Sequence, residues 1–503
     1  MSFTPQYEEC GVAAYGGNVR AQSIVECRLA DWAENQILAA APSVVPGPAE
    51  VLSGEIRYGG KLYFSVVART PDGAVVGAER GAEFTHRAEC EDAAPAQQAD
   101  VTLTVEKVEI RRDGRAVILS AIVTADIARL IPGTLRCLAG GEGVVCDLVP
   151  VRVARAALCA GSAEIEEEFD TDYVGDVLLH TEQIGLTRVV ASAGVLDVSG
   201  EVNLCVLSKR EGENDVVAYE RMIPFRAEIP CDEAVAGAAC DASAVVSSVR
   251  LSAACDEDRN RCRILAELSL DIRGRLWRGE EVIAAADAFC PGYECAVRRE
   301  TFRSEEPLCA FTATERVAGT AALDGAVDFA CSLQAAALCG VEAAAEVKDG
   351  EIVVEGVLMA TVFFKDGEGG AQSARISLPF TFPVRCDRAR AGDRAQVRVL
   401  ACGVSARQKR EGELEAEGTL KLYAALFGEN AAVYVGSVEP GRETPQSAAA
   451  IGIWFPAAGD TLWDTAKKLG RPPEEVRREN PDLTFPLSGE ERIVVYRRRE
   501  LRR

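Results

Sequence analysis

Ile264-Leu265-Ala266-Glu267-Leu268-Ser269-Leu270-Asp271-Ile272 is the stretch on which the fold turns. Ile264, Ala266, Leu268, Leu270 and Ile272 occupy every second position, with mostly polar residues between them. Successive side chains of a strand point to opposite faces, so this period marks a strand with one dry and one wet side. The pattern recurs twice. Val117, Leu119, Ala121, Val123 and Ala125 share a face in an earlier run, and Leu414, Ala416, Leu420, Leu422 and Ala424 do so in a later one, interrupted by Gly418. A sheet with one dry face must bury it against a second layer, which predicts a mainly β, sandwich-like body.

Each run closes a longer cassette. Val51-Leu52-Ser53-Gly54-Glu55-Ile56 precedes Phe84 and Cys90; Asp197-Val198-Ser199-Gly200-Glu201-Val202 precedes Phe225 and Cys231; Val353-Val354-Glu355-Gly356-Val357-Leu358 precedes Phe380 and Cys386. The glycines lie 146 and 156 residues apart, the cysteines 141 and 155, and each phenylalanine stands six before its cysteine. Turn signals such as Pro71-Asp72-Gly73, Arg112-Asp113-Gly114, Arg210-Glu211-Gly212 and Lys365-Asp366-Gly367 separate the strands. The repeats predict three tandem β-rich domains at 15–145, 146–295 and 296–441, then a linker at 442–450 and a terminal module at 451–497. Asp31 to Ala40 fits either a helix or the start of a strand.

The terminal module reads differently. Ile453 and Phe455 alternate as in a half-buried strand. Asp460 or Thr461 can cap a helix that buries Leu462, Thr465, Ala466 and Leu469 and stops at Gly470. Pro472 and Pro473 sit where a second helix starts, since a first-turn proline gives up an N–H that has no partner anyway. Val476 faces inward, Pro481 ends that helix, and Ile493 to Tyr496 form a closing strand.

The Gly459-Asp460-Thr461-Leu462-Trp463 and Asn480-Pro481 spacing resembles the LysM domain, a small βααβ module. The cassettes, with their SGEI, SGEV and EGVL strands, later PF pair and the Val177 to Ile184 segment, resemble the SPOCS domain of spore-coat proteins. Three such repeats before a LysM module are similar to the SpoIVA-interacting protein L group of spore-envelope morphogenetic proteins. The resemblance implies a ligand groove between Gly459, Asp460, Thr461, Leu462 and Trp463 on one side and Asn480, Pro481, Asp482 and Leu483 on the other. It further implies a non-catalytic scaffold in the mother-cell cytosol at the forespore surface, docking a SpoIVA-like morphogenetic ATPase of the coat basement. The alternative is a binder of peptidoglycan through N-acetylglucosamine. Trp454 and Trp463 are candidate partner anchors.

Composition narrows the chemistry. The 503 residues carry a net charge of −23, which disfavours nucleic acid, whose binders need a basic face. Residues 451–503 hold 11 Lys/Arg and 9 Asp/Glu, a net of +2, leaving −25 on residues 1–450. The positive charge gathers at Arg497-Arg498-Arg499 and Arg502-Arg503. No basic-then-apolar leader opens the sequence and no apolar run reaches the roughly 18 residues of a membrane span, so a cytoplasmic protein is expected. In that compartment the 18 cysteines read as small buried hydrophobes rather than disulfides. They form no CxxC pair, so no metal is expected, and Cys290 with Cys295 is the closest pair. The acidic run Glu164 to Asp172 reads as a solvated edge, because adjacent exposed acids lack the contrast in setting that separates acid from base. His180 has no nucleophile frame beside it. Phosphate-binding loops are absent as well, so neither an enzyme nor a cofactor is expected.

Overall fold

In the computed structural model, residues 3–172, 176–209, 216–256, 261–322, 333–365, 369–410, 413–444 and 450–496 are described. The first group of strands comprises β1 (Thr4–Leu29), β2 (Gln36–Pro46), β3 (Glu50–Leu52), β4 (Glu55–Arg69), β5 (Val75–Glu89), β6 (Gln98–Asp113) and β7 (Ala116–Glu142). The second comprises β8 (Val145–Asp172), β9 (Val177–Ser192), β10 (Val195–Lys209), β11 (Val216–Pro230), β12 (Ala239–Asp256) and β13 (Arg261–Phe289). The third comprises β14 (Tyr293–Ala322), β15 (Leu333–Lys348), β16 (Glu351–Lys365), β17 (Ala371–Arg385), β18 (Arg394–Arg410) and β19 (Glu413–Glu443). The chain ends in β20 (Ile451–Trp454), α1 (Leu462–Leu469), α2 (Pro473–Glu479) and β21 (Ile493–Tyr496). The protein is mainly β.

Every group uses the same wiring. A meander centred on β4, β10 or β16 packs on a sheet in which the group's first strand pairs its last and the last pairs the one before. The first group begins at Thr4, opposite Glu142, so it starts ahead of the expected residue 15. A single parallel contact, Ala13 with Arg155, joins the first two long-strand sheets into one of six strands. Asp31 adopts a left-handed turn (φ 58°) and β2 follows, so the strand reading of that segment holds over the helix.

The alternating runs are the core. Val117 through Ala125, Ile264 through Ile272 and Leu414 through Ala424, taken at every second apolar position named above, are all at most 2% exposed. Yet β1, β7, β8, β13, β14 and β19 run for 26 to 31 residues, far beyond the ~5–6 typical of a strand. The reason is that each serves two cores. One part fills its own sandwich; the other, through Val12, Leu135, Val151, Val153, Ala284, Ala432 and Tyr434, meets the other two groups. A second shared cluster places Leu38 and Val67 with Leu178, Leu179 and Leu207 and with Phe363. The three groups therefore close on one another. Polar links cross each junction: Arg275 to the buried Asp100 at 2.6 Å, Arg398 to Asp241 at 2.9 Å, and Gln36 to Gln372 at 2.9 Å.

The repeat is also written in hydrogen bonds. Gly54, Gly194 and Gly350 each donate to a carbonyl, that of Ala93, Ala234 or Ala389, and each accepts from the Cys90, Cys231 or Cys386 N–H. All three sit at positive φ, 79°, 75° and 82°. The strand glycines form a separate set: Gly60, Gly200 and Gly356 lie opposite Phe84, Phe225 and Phe380. Gly54 is thus the partner of Gly194 and Gly350, and the alignment of Gly54 with Gly200 shifts by six residues.

Candidate functional site

The terminal module folds as its local chemistry dictates. Thr461 Oγ1 accepts from the Asp464 N–H at 3.1 Å while the Asp464 carboxylate accepts from the Thr461 N–H at 3.0 Å, a reciprocal cap on α1. Gly470, left-handed at φ 64°, ends that helix. Pro473 opens α2 and Asn480 closes it. Ala466, Val476, Leu487, Ile493 and Val495 are buried together with Phe289 of β13, so the module shares its core with the second strand group.

The nine residues expected to line a groove have mostly internal duties. Gly459 is exposed, at φ 91°, and its N–H donates to the Leu487 carbonyl at 2.7 Å. Asp460 is buried; hydrogen bonds from Lys468 and the Ala457 N–H hold its carboxyl below the usual range. Thr461 is the cap just described. Leu462 and Leu483 are half-buried against the module core. Asn480 takes the Val494 N–H at 2.8 Å and returns a bond to the Val494 carbonyl at 2.9 Å, pinning the closing strand to α2. Pro481 and Asp482 are exposed.

Trp463 faces the body. Its Nε1 donates to Asp287 Oδ2 at 3.0 Å, and its ring lies 5.3 Å from that of Phe289. Asp287 also takes Lys467 at 2.5 Å and Arg299 at 2.8 Å. Burial pushes the Asp287 carboxyl up, but the hydrogen bonds from Lys467 and Trp463 prevail and its pKa is lowered.

Sequence reasoning assigned the wrong face of β20. Ile451, Ile453, Phe455 and Tyr496 are 59%, 59%, 66% and 52% exposed. Ile451 lies opposite Tyr496 and Ile453 opposite Val494, so they share the outer face of the β20–β21 pair. Trp454 turns inward, opposite Ile493, with the Lys468 ammonium 5.8 Å from its ring. Both strands carry apolar residues on both faces, so alternation alone could not choose. The alternation of buried Ile493 and Val495 with Val494 and Tyr496 decides it.

Other candidates find quieter roles. Glu168 and Asp170 pair with Arg263 on the exposed face of β8, and Glu167, on the half-buried face with Ile165 and Phe169, pairs with Arg221. His180 Nδ1 lies 3.2 Å from Glu182, and Nε2 lies 3.8 Å from Glu79 of the first group. Cys255 and Cys262 face each other across the β12–β13 hairpin, Cα atoms 4.0 Å apart, and are disulfide-bonded, contrary to the expectation for this chain. Cys290 and Cys295 form no disulfide; the Cys290 thiol donates to Cys295 Sγ at 3.1 Å. Among the described residues no group of three or more His, Cys, Asp or Glu could hold a metal. No helix among them is long and apolar enough to cross a membrane. Residues 451–496 carry 6 Lys/Arg and 8 Asp/Glu, so the basic character expected of the module rests on residues 497–503, outside the described residues.

No protein-family model, curated protein or solved structure matches the chain.

Proposed function

We propose that this chain is a non-catalytic scaffold that docks a protein partner through the outer face of its terminal module. One observation carries the reading: Ile451, Ile453 and Tyr496 share the outer face of the β20–β21 pair and, with Phe455 just beyond β20, are each more than half exposed. Large apolar side chains grouped on a rigid surface are what protein interfaces bury. The resemblance to SPOCS and LysM proteins makes the partner a SpoIVA-like morphogenetic ATPase and the setting the forespore surface in the mother-cell cytosol.

Glycan binding is the weaker reading. In the expected groove the N–H groups of Gly459, Asp460, Thr461 and Leu483 are already hydrogen-bonded inside the module. The test is capture of the co-produced ATPase by the full chain and by Ile453→Asp/Phe455→Asp. Loss of capture by tenfold or more, with an unchanged melting temperature, is expected. Undiminished capture, or micromolar binding of N-acetylglucosamine oligomers, overturns the proposal.

A further inference from the structure

The three strand groups enclose a cavity of about 850 Å³, away from the terminal module. Residues 40–45 of β2, 103–108 of β6, 180–184 of β9 and 244–249 of β12 line it consecutively, without skipping alternate positions. Residues 359–361 of β16, the middle strand of its sheet, also line it in turn, so the sheet order and not the run of residues identifies the edges. The strands β2, β6, β9 and β12 are all terminal in their sheets. These four walls are strand edges; Pro42 in β2 and bulges at Val105/Lys107 and Val246/Ser248 interrupt three of them, while residues 180–184 of β9 run on with neither, so the β9 edge is the one that offers a ladder to one more strand.

The shape limits the guest. Leu38, Val67, Leu178, Leu179 and Phe363, next along the same strands or their neighbours, pack into a three-way apolar plug at one end. Exposed Lys107, Glu342, Met359 and Arg375 stand where the cavity opens. Six consecutive lining residues span ~20 Å at about 3.3 Å per residue, room for an extended segment of about six residues. Val44, Val105, Ile184 and Val246 supply apolar wall.

Charge sets the side chain. Glu79 and Glu182, from different groups, converge on His180, with Ser43 donating to Glu182 at 3.2 Å. Glu106, also in the wall, is already held by Arg20 and Gln22 at 2.8 Å each. In the lining Glu79, Glu106, Glu182 and Glu342 outnumber Lys107 and Arg375, and Lys107 is already paired with Glu109 at 2.6 Å. From these observations we propose that the cavity takes an extended peptide by strand addition, with a lysine or arginine directed at Glu79 and Glu182.

The test uses the full chain and fluorescein-labelled, end-blocked octapeptides that alternate valine and threonine around a central lysine. One control replaces the lysine with glutamate; another N-methylates alternate backbone amides. Fluorescence polarisation should show the lysine peptide binding about tenfold more tightly than the glutamate peptide, on the scale of one charge-assisted hydrogen bond. N-methylation should abolish binding, as should Ser247→Trp, which fills the cavity. Glu79→Gln/Glu182→Gln should erase the lysine preference while circular dichroism stays unchanged. Absence of binding by either peptide, equal affinity for both, or survival of binding after N-methylation overturns the proposal; this last comparison needs no variant protein.

Discussion

Replacing Trp463 with alanine should loosen the terminal module from the body without touching the patch proposed to dock a partner. The indole holds two surfaces together, through a 3.0 Å hydrogen bond to Asp287 and a ring contact with Phe289. A hydrogen bond to a charged acceptor contributes ~1.5–3 kcal/mol. An aromatic pair adds ~0.5–1.5 kcal/mol. Asp287 keeps Lys467 and Arg299 after the substitution, so no buried charge is orphaned and the hydrogen-bond loss falls at the low end of its range. The sum is about 2–4 kcal/mol, roughly a 30- to 1,000-fold shift toward the undocked module. Trp463→Phe keeps a ring but not the N–H and should lose about half as much. Hydrogen exchange followed by mass spectrometry reads the effect directly: amides of α1 and β21 should exchange faster by that factor while those of β10 and β16 do not change. Protection of α1 within threefold of the parent, combined with loss of partner capture, would show that the indole serves the partner and would refute the reasoning.

Two further outcomes follow from the body. Gly200→Ala and Gly356→Ala should each cost about 1–3 kcal/mol, because a Cβ would fall on the Gly185 or Glu342 carbonyl oxygen and on the ring of Phe225 or Phe380; Gly11→Ala, with open space around it, should leave the melting temperature unchanged. For His180, burial lowers the pKa, but the hydrogen bond and charge of Glu182, with the charge of Glu79, prevail and raise it above 6.5. The stabilisation is then complete below pH 6.5 and is lost as pH rises through the folded value. The melting-temperature gap between parent and His180→Gln should therefore be wider at pH 5.5 than at pH 8.5, and an equal gap would sink the assignment.

What the sequence made legible was whatever depends on neighbours close in the chain. The period-two runs reported their buried faces correctly, and the caps at Thr461 and Gly470 and the proline at the start of α2 are local chemistry. What it hid was partnership at long range. The words SGE at Ser53 and at Ser199 are identical, yet Gly54 turns a corner at positive φ while Gly200 lies in a strand opposite Phe225. The partner strand, not the word, sets the backbone. Trp463 illustrates the same limit, since its acceptor Asp287 lies 176 residues away. The cavity wall was hidden for a related reason: edges that meet across three groups leave no period in any one of them.

The closure of the three groups changes what repetition can mean for function. Tandem modules on flexible tethers gain avidity because each can engage separately. Here the long strands β7, β13 and β19 each carry one stretch for their own sandwich and another for a core shared by all three groups. Separating one group would bare Leu135, Val151, Val153 and Tyr434 to water, and burial of such side chains contributes ~1.5–3 kcal/mol each. The repeats are therefore bound into one platform. Phe289 at the end of β13 extends that platform into the terminal module, fixing the direction in which Ile453 and Phe455 face. Multivalency in such a molecule must come from many copies of the whole chain, each presenting one apolar face, and not from the three groups within it.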